Sequence, residues 1–255
     1  DGKTVRGARL GQASAPHLLS ALDHATGAVL TQARVAEKSN QGPRHQELLE
    51  PLDPGGVVVT ADAMHTQVDT AQWIRDQGGH YVLTVKGNQK TSARHAQGPA
   101  TEKVPSVSSV DTGHGRRVRR TAEAVQAPKW VDFPPAAQVL QVRRTRTIKG
   151  RKHVEVAYPG LLLPMEQAQP EQVAAWVQGH WGIENRLHVG RDVVFDEDRH
   201  QLRTRNGPEI MAALRNLTTG LIRLAHGAQA AIASTTRSLS RQPKRAIKLI
   251  TQPTT

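Results

Sequence analysis

The sequence predicts an α/β fold, a mixed sheet covered by helices, and three observations carry that prediction. Strand-like and helix-like runs alternate through the first third, three successive valines read as a strand buried on both faces, and the last third has helical periodicity bounded by proline and glycine. At 255 residues the chain is long enough to bury a sizeable core.

The alternation begins at 17–36, HLLSALDHATGAVLTQARVA, where two strand-like runs flank a turn ending at Gly27 and so form a hairpin. Pro43 opens a short helix with Leu48, Leu49 and Leu52 on one side. The apolar run GVVVTADA (56–63) is the buried strand. Asp69 or Thr70 is placed to cap a helix through Gln77, with Trp73 and Ile74 inward and Gly78-Gly79 ending it. HYVLTVKG (80–87) returns as a strand.

Residues 90–137 are rich in Pro, Ser, Gly and Arg with little periodicity, and read as loops and edge strands. A second hairpin is expected over 139–158, turning at Lys149-Gly150. From Pro170 a helix is expected to run to about Val194, with Val173, Val177, Trp181 and Leu187 at helical spacing. The next helix, 208–227, opens on proline and closes on glycine; Met211, Leu214, Leu217, Leu221 and Leu224 form a stripe expected to face the core. Residues 243–250, PKRAIKLI, read as a short basic amphipathic helix for packing or phosphate contact.

Lys plus Arg number 34 against 22 Asp plus Glu, a net charge of +12 that points to a polyanionic partner, although high-GC coding bias also raises arginine in proteins that never touch nucleic acid. The charge concentrates in GHGRRVRRT (113–121), which holds Arg116, Arg117, Arg119 and Arg120, and in the second hairpin, which holds Arg143, Arg144, Arg146, Lys149, Arg151 and Lys152. Such a ribbon suits a phosphate backbone; it also suits a sheet edge protected by charge against aggregation. Aromatic residues are 3%, too few for a single-strand binder built on stacking platforms, so duplex DNA is the expected partner.

With no cysteine, disulfides, thiolate zinc sites and a cysteine nucleophile are excluded, and a reducing cytoplasm fits. No apolar stretch approaches the ~20 residues of a membrane span, and DGKTVRG lacks the apolar run of a signal peptide. The first residue, Asp1, is not methionine, and the chain is expected to be a piece of a longer one.

Two acidic residues stand out. Asp62 falls where the buried strand ends, and ligands of open α/β sheets bind outside the carboxyl ends of strands. It also suits a cap on the turn or helix that follows. Glu184 shares a helical stripe with His180, His188 and Arg191, a polar set where apolar residues would otherwise point. One ion held by both histidines is discounted, because eight residues of helix rise ~12 Å. A solvated face making weak ion pairs is the other reading of that stripe.

DGKTVRG (1–7), HLLSALDHATGAVL (17–30), VVVTADAMHTQ (57–67), YVLTVKGNQ (81–89), GHGR (113–116), HWGIENRLH (180–188), RDVVFDEDRHQLRT (191–204) and GPEIMAALRNL (207–217) together resemble the DDE transposases of bacterial insertion sequences. The resemblance is in particular to the ISAs-type, H-repeat-associated subgroup, without its amino-terminal region. It implies a ribonuclease-H-like mixed sheet flanked by helices, with a β-rich insertion between the second and third catalytic carboxylates. Asp1, Asp62 and Glu184 would then be those carboxylates, holding two Mg²⁺ ions, with Mn²⁺ as a substitute, for cleavage and strand transfer of DNA.

On this resemblance the chain divides into 1–96 and 161–227 as catalytic domain, 97–160 as insertion and 228–255 as basic tail. Lys86, Arg191 and His180 join the basic runs as expected DNA contacts. The implied partners are transposon ends and target duplex, with a homodimer assembled on DNA in the cytoplasm, at the nucleoid. The sequence departs from the subgroup at Val189-Gly190, where an aromatic residue usually follows, and at Val118, where a glutamate is usual. Two other functions compete: a catalytically inactive DNA-binding remnant, and a nuclease that cuts without joining.

Overall fold

In a computed structural model, residues 1–35, 41–62, 67–85, 106–113, 115–126, 137–161, 163–164 and 167–251 are described. They divide into two compact units, Asp1–Leu52 with Gly179–Thr255, and Asp53–Gln178. The fold is mixed α/β.

The first unit carries a three-stranded antiparallel sheet, β1 (Gly2–Thr4), β2 (His17–Leu22) and β3 (Val29–Val35), in that spatial order. The expected first hairpin is β2–β3, and Gly27 turns it at φ +72°, a conformation that side-chain-bearing residues resist. Helix α1 (Gln41–Leu49) begins two residues before Pro43 and buries Leu48 and Leu49; Leu48 packs with Leu19 and Val35.

The second unit carries a six-stranded mixed sheet. Strands β4 (Val58–Ala61) and β5 (His80–Val85) are parallel and joined through α2 (Val68–Asp76). Strands β6 (Ser106–Gly113), β7 (Arg116–Gln126), β8 (Gln138–Ile148) and β9 (Arg151–Leu161) complete the order β4-β5-β9-β8-β7-β6, in which every pair but β4–β5 is antiparallel. One face of this sheet buries Ala122, Ala124, Leu140 and Leu161, joined by Val173 of α3 (Pro170–His180).

Several expectations are corrected here. Strand β4 is half-buried along its length, and Val57 beside it is 51% exposed, so the valine run is not covered on both faces. Helix α2 starts at Val68 with Gln67 as its cap, and no side chain caps it; Ile74 is buried and Trp73 half-buried. Strand β7, read from sequence among loops and edges, lies inside the sheet between β6 and β8. Irregular apolar spacing in a strand flanked on both sides hid it.

The second hairpin turns where expected, through Lys149 at φ +46° and Gly150 at φ +78°, a pair matched to the right-handed twist of β8 and β9. Gly150→Ala puts a Cβ into that left-handed conformation, and a loss of about 1 kcal/mol is expected in the chemical denaturation of the chain.

The largest correction concerns α4 (Gly207–His226). Leu214, Leu217 and Leu224 of the expected inward stripe are 49%, 56% and 55% exposed. The buried face holds Ala212, Arg215, Asn216, Thr219, Gly220, Ile222 and Arg223 instead. Hydrogen bonds decide the orientation: Arg223 donates to the carbonyls of Gly27 and Arg186, both at 2.6 Å, and Asn216 donates to Gln32 at 2.8 Å. Helices α5 (Ile232–Arg241) and α6 (Pro243–Thr251) follow, the latter being the expected basic helix, with Ile247 and Ile250 exposed. Among the described residues no helix is long and apolar enough to cross a membrane.

Candidate metal centre

Asp1 enters the site on the first strand. Its main-chain nitrogen donates to the Ser20 carbonyl at 3.1 Å and its carbonyl accepts from the Ser20 amide at 2.8 Å, so β2 fixes its backbone on both sides. Its carboxylate accepts the Gly2 amide at 2.7 Å through Oδ1 and faces His188 Nε2 at 3.2 Å through Oδ2.

Glu184 and His188 arrive from the segment after α3. The expected continuous α-helix does not form: from Glu184 to Val194 the winding widens to π-type turns, closed by Val189 N–H to the Glu184 carbonyl and Phe195 N–H to the Gly190 carbonyl. Wide turns of this kind recur at functional sites. Each inserts residues into the helical period, so the stripe drawn with 3.6 residues per turn is rotated apart. Glu184 and His188 stay together and Leu187 is buried, while Trp181, placed at helical spacing with it by the sequence, is 53% exposed.

One ligand atom each from Asp1, Glu184 and His188 lies within 4.8 Å of the others. Two hard carboxylates and an imidazole, converging from chain positions more than 180 residues apart, are a donor set that suits a divalent cation. Glu184 is exposed and Asp1 half-buried. His188 is 5% exposed, and its Nδ1 is buried without a hydrogen-bond partner.

Burial pushes the His188 imidazole down to a pKa of about 4, against the attraction of Glu184, and the charges of Lys3 and Arg191 lower it further. The ring is therefore neutral and competent as a ligand at physiological pH. Burial also lowers the pKa of His24, against the pull of Asp23.

Both shifts carry a sign for stability. Between the unfolded value near 6.5 and the depressed folded value, the unfolded chain binds protons that the folded one refuses, so stability present above pH ~6.5 is lost as pH falls toward 4. In EDTA the urea midpoint is expected to be lower at pH 5 than at pH 7, and the difference smaller in His188→Gln.

Lys3, two residues from Asp1 on the same side of the strand, donates to Asp192 at 2.6 Å and places a cation beside the cluster. Sequence reading missed it, although the i, i+2 spacing within DGKTVRG was the signal. It also assigned His188 only to the flank of Glu184.

Arg191, expected at DNA, is 1% exposed. Its Nε reaches Glu197 Oε1 and Oε2 at 3.0 and 2.9 Å, and Arg215 of α4 donates to the same Oε1 at 2.8 Å. That places it inside the first unit, holding the widened segment, and not at a surface where a phosphate could reach it. His180 is half-buried at the end of α3, its ring edge-on to Trp181 at 6.4 Å.

Asp62 directly follows β4 in the second unit; since the cap of α2 is Gln67, Asp62 does not cap that helix. Lys86 lies outside the described residues. The basic runs meet on β7–β8–β9. By strand alternation Arg117, Arg119, Arg143 and Lys152 share one face, all exposed, while Arg120, Arg144 and Arg146 share the other. Arg120 pairs with Asp111, and Arg144 with Glu155 at 3.3 Å. Arg116 and Arg151 are exposed beside the hairpin turn that carries Lys149. The basic stretches of β7 and β8 are flanked by strands on both sides, so protection of a sheet edge does not account for their charges, whereas β9 pairs with β5 only over residues 158–161 and that reading stays open for Arg151 and Lys152.

Comparison with known proteins identifies the family. The Transposase DDE domain family matches residues 1–221, and the chain belongs to that family. Its relatives include the "Putative transposase YncI" of Escherichia coli O157:H7, 30% identical over 88% of this chain and 60% of that protein. The "H repeat-associated putative transposase YhhI" of Escherichia coli K12 is likewise 30% identical, over 87% of this chain and 62% of the relative. The chain thus spans about three fifths of the length of these relatives. Among solved structures, a piggyBac transposase synaptic complex with hairpin DNA aligns with all of this chain and 54% of its own, at 13% identity and a TM-score of 0.49.

Proposed function

We propose that this chain is the catalytic domain of an insertion-sequence transposase, cleaving DNA at transposon ends and joining them to a target with divalent metal. The observation that carries the reading is the convergence of Asp1, Glu184 and His188 within 4.8 Å. Asp1 and Glu184 would hold divalent metal, and the family resemblance adds Asp62, which directly follows β4, as the third carboxylate. Two bound Mg²⁺, or Mn²⁺ in their place, supply activation of the attacking hydroxyl and stabilisation of the leaving oxygen in phosphodiester displacement.

The chain's own groups do the rest. His188, neutral and hydrogen-bonded to Asp1 Oδ2, fixes the orientation of that carboxylate, and Lys3 on Asp192 offsets the negative charge gathered there. Arg117, Arg119, Arg143 and Lys152, with Arg116, Lys149 and Arg151 at the turn, form the proposed surface for duplex phosphates. The antiparallel strands β1–β3 and the parallel β4–α2–β5 unit support a ribonuclease-H-like catalytic domain, and β6–β8 support an insertion over 97–160. A homodimer on DNA and a cytoplasmic, nucleoid site belong to the same reading.

Nicking of supercoiled plasmid in Mn²⁺ tests it. Nicked and joined products are expected from the wild-type chain, and neither from Asp62→Asn or Glu184→Gln. Nicking that persists in both variants sinks the assignment, nicking without joining identifies a nuclease, and DNA binding without either marks a non-catalytic remnant.

A further inference from the structure

A second basic site stands in the first unit, outside every arginine run that the sequence marks. A cleft of about 690 Å³ lies between two short 3-10 turns, Arg6–Ala8 and Glu197–Arg199. Arg6, Arg9, Arg199 and Arg203 line it with Gln201, and Asp198 is its one carboxylate.

The cleft is built into the backbone. The Arg6 amide donates to Asp198 Oδ1 at 3.3 Å, and Arg203 Nε donates to the Gly7 carbonyl at 3.4 Å. Gly7 permits the approach: a Cβ there would lie 2.5 Å from the His200 carbonyl oxygen and 2.6 Å from that of Asp198. So the carboxylate in the cleft is engaged by main chain. Among the described residues no ion pair is recorded for Arg6 or Arg9, and Arg199 makes only an exposed pair with Asp196 at 3.2 Å.

Four guanidinium groups, all on exposed residues, around one carboxylate leave an excess of positive charge in a concave site. Guanidinium is the side chain best matched to phosphate, through paired donors in one plane. The two walls are continuations of the segments that carry the acidic cluster: Arg6 follows Asp1 by way of β1, and Glu197–Arg199 follows Glu184 by way of the π-type turns.

We propose that this cleft binds the phosphodiester backbone of duplex DNA as a site separate from the β7–β9 ribbon. The inference rests on the DNA reading given above, and it adds Arg6, Arg9, Arg199 and Arg203 as phosphate contacts in the unit that holds Asp1 and Glu184. Backbone contacts of this kind position a duplex without reading its sequence.

Fluorescence anisotropy of the full chain with a fluorescein-labelled duplex tests it, in EDTA so that no cleavage intervenes. Each lost phosphate contact lowers the slope of log K against log salt concentration by about 0.9. Arg6→Gln/Arg9→Gln and Arg199→Gln/Arg203→Gln are each expected to lower it by roughly 1–2, with Mn²⁺ binding unchanged in both and melting temperature unchanged in the first. The two pairs also guard against a folding defect, since only the second removes a bond to Gly7.

Unchanged slopes in folded variants overturn the proposal. So does a loss seen with duplex RNA and not with duplex DNA. The catalytic reading fails separately: a wild-type chain that binds no Mn²⁺ while the arginine pairs still lower the slope removes the metal site and leaves the DNA cleft standing.

Discussion

Glu197→Ala is expected to destabilise the protein by about 3–5 kcal/mol, the cost of removing one partner from a buried ion pair. Glu197 has no exposed side-chain surface, and its two oxygens bind Arg191 at 2.7–3.0 Å and Arg215 at 2.8 Å. Without it two guanidinium groups remain in the interior, one of them 1% exposed. Against a total stability of roughly 5–15 kcal/mol this is a large fraction, and it corresponds to a melting temperature lower by about 6–20 °C. A triple change to apolar residues of similar volume at positions 191, 197 and 215 is expected to cost far less, since it removes the charges together. Urea denaturation of both variants checks the pair of outcomes; a Glu197→Ala loss under about 1 kcal/mol would show that the cluster is not desolvated as described.

The same triad bears on function, because it ties the widened segment carrying Glu184 and His188 to α4. Glu197→Ala should therefore weaken Mn²⁺ binding as well as stability, although Glu197 is not in the ligand cluster.

Glu184→Gln is the second large effect. The change keeps the shape of an exposed side chain and removes its charge, so folding should survive within about 0.5 kcal/mol. Strand joining should fall at least about a thousandfold, corresponding to loss of roughly 4 kcal/mol of transition-state stabilisation. Comparable melting curves with full joining activity in the variant would remove Glu184 from the site.

Much of the fold is readable from local signals. The series β2, β3, α1, β4, α2, β5 follows from apolar periodicity and turn residues, and Gly27 and Gly150 sit at positive φ where the sequence placed turns. Asp1 and Glu184 are also readable, Asp1 through family resemblance and Glu184 through its helix-face neighbours as well.

What escaped depends on partners distant in the chain. The leucines of α4 satisfy a periodicity rule, yet Arg215, Asn216 and Arg223 take the inner face because their bonds to Glu197, Gln32, Gly27 and Arg186 are made there. Nothing local announces that exchange. The π-type winding after Glu184 is equally silent in composition, and it turned Arg191 from an expected phosphate contact into a buried anchor.

The central claim is that Asp1 and Glu184 hold a divalent cation, and calorimetric titration of Mn²⁺ into the metal-free chain beside its Glu184→Gln and Asp62→Asn variants tests it most directly. Saturable binding by the wild-type chain, weakened at least tenfold by Glu184→Gln and reduced by Asp62→Asn, is the predicted result. Equal binding by the wild type and Glu184→Gln, or none by a folded wild-type chain, would contradict it.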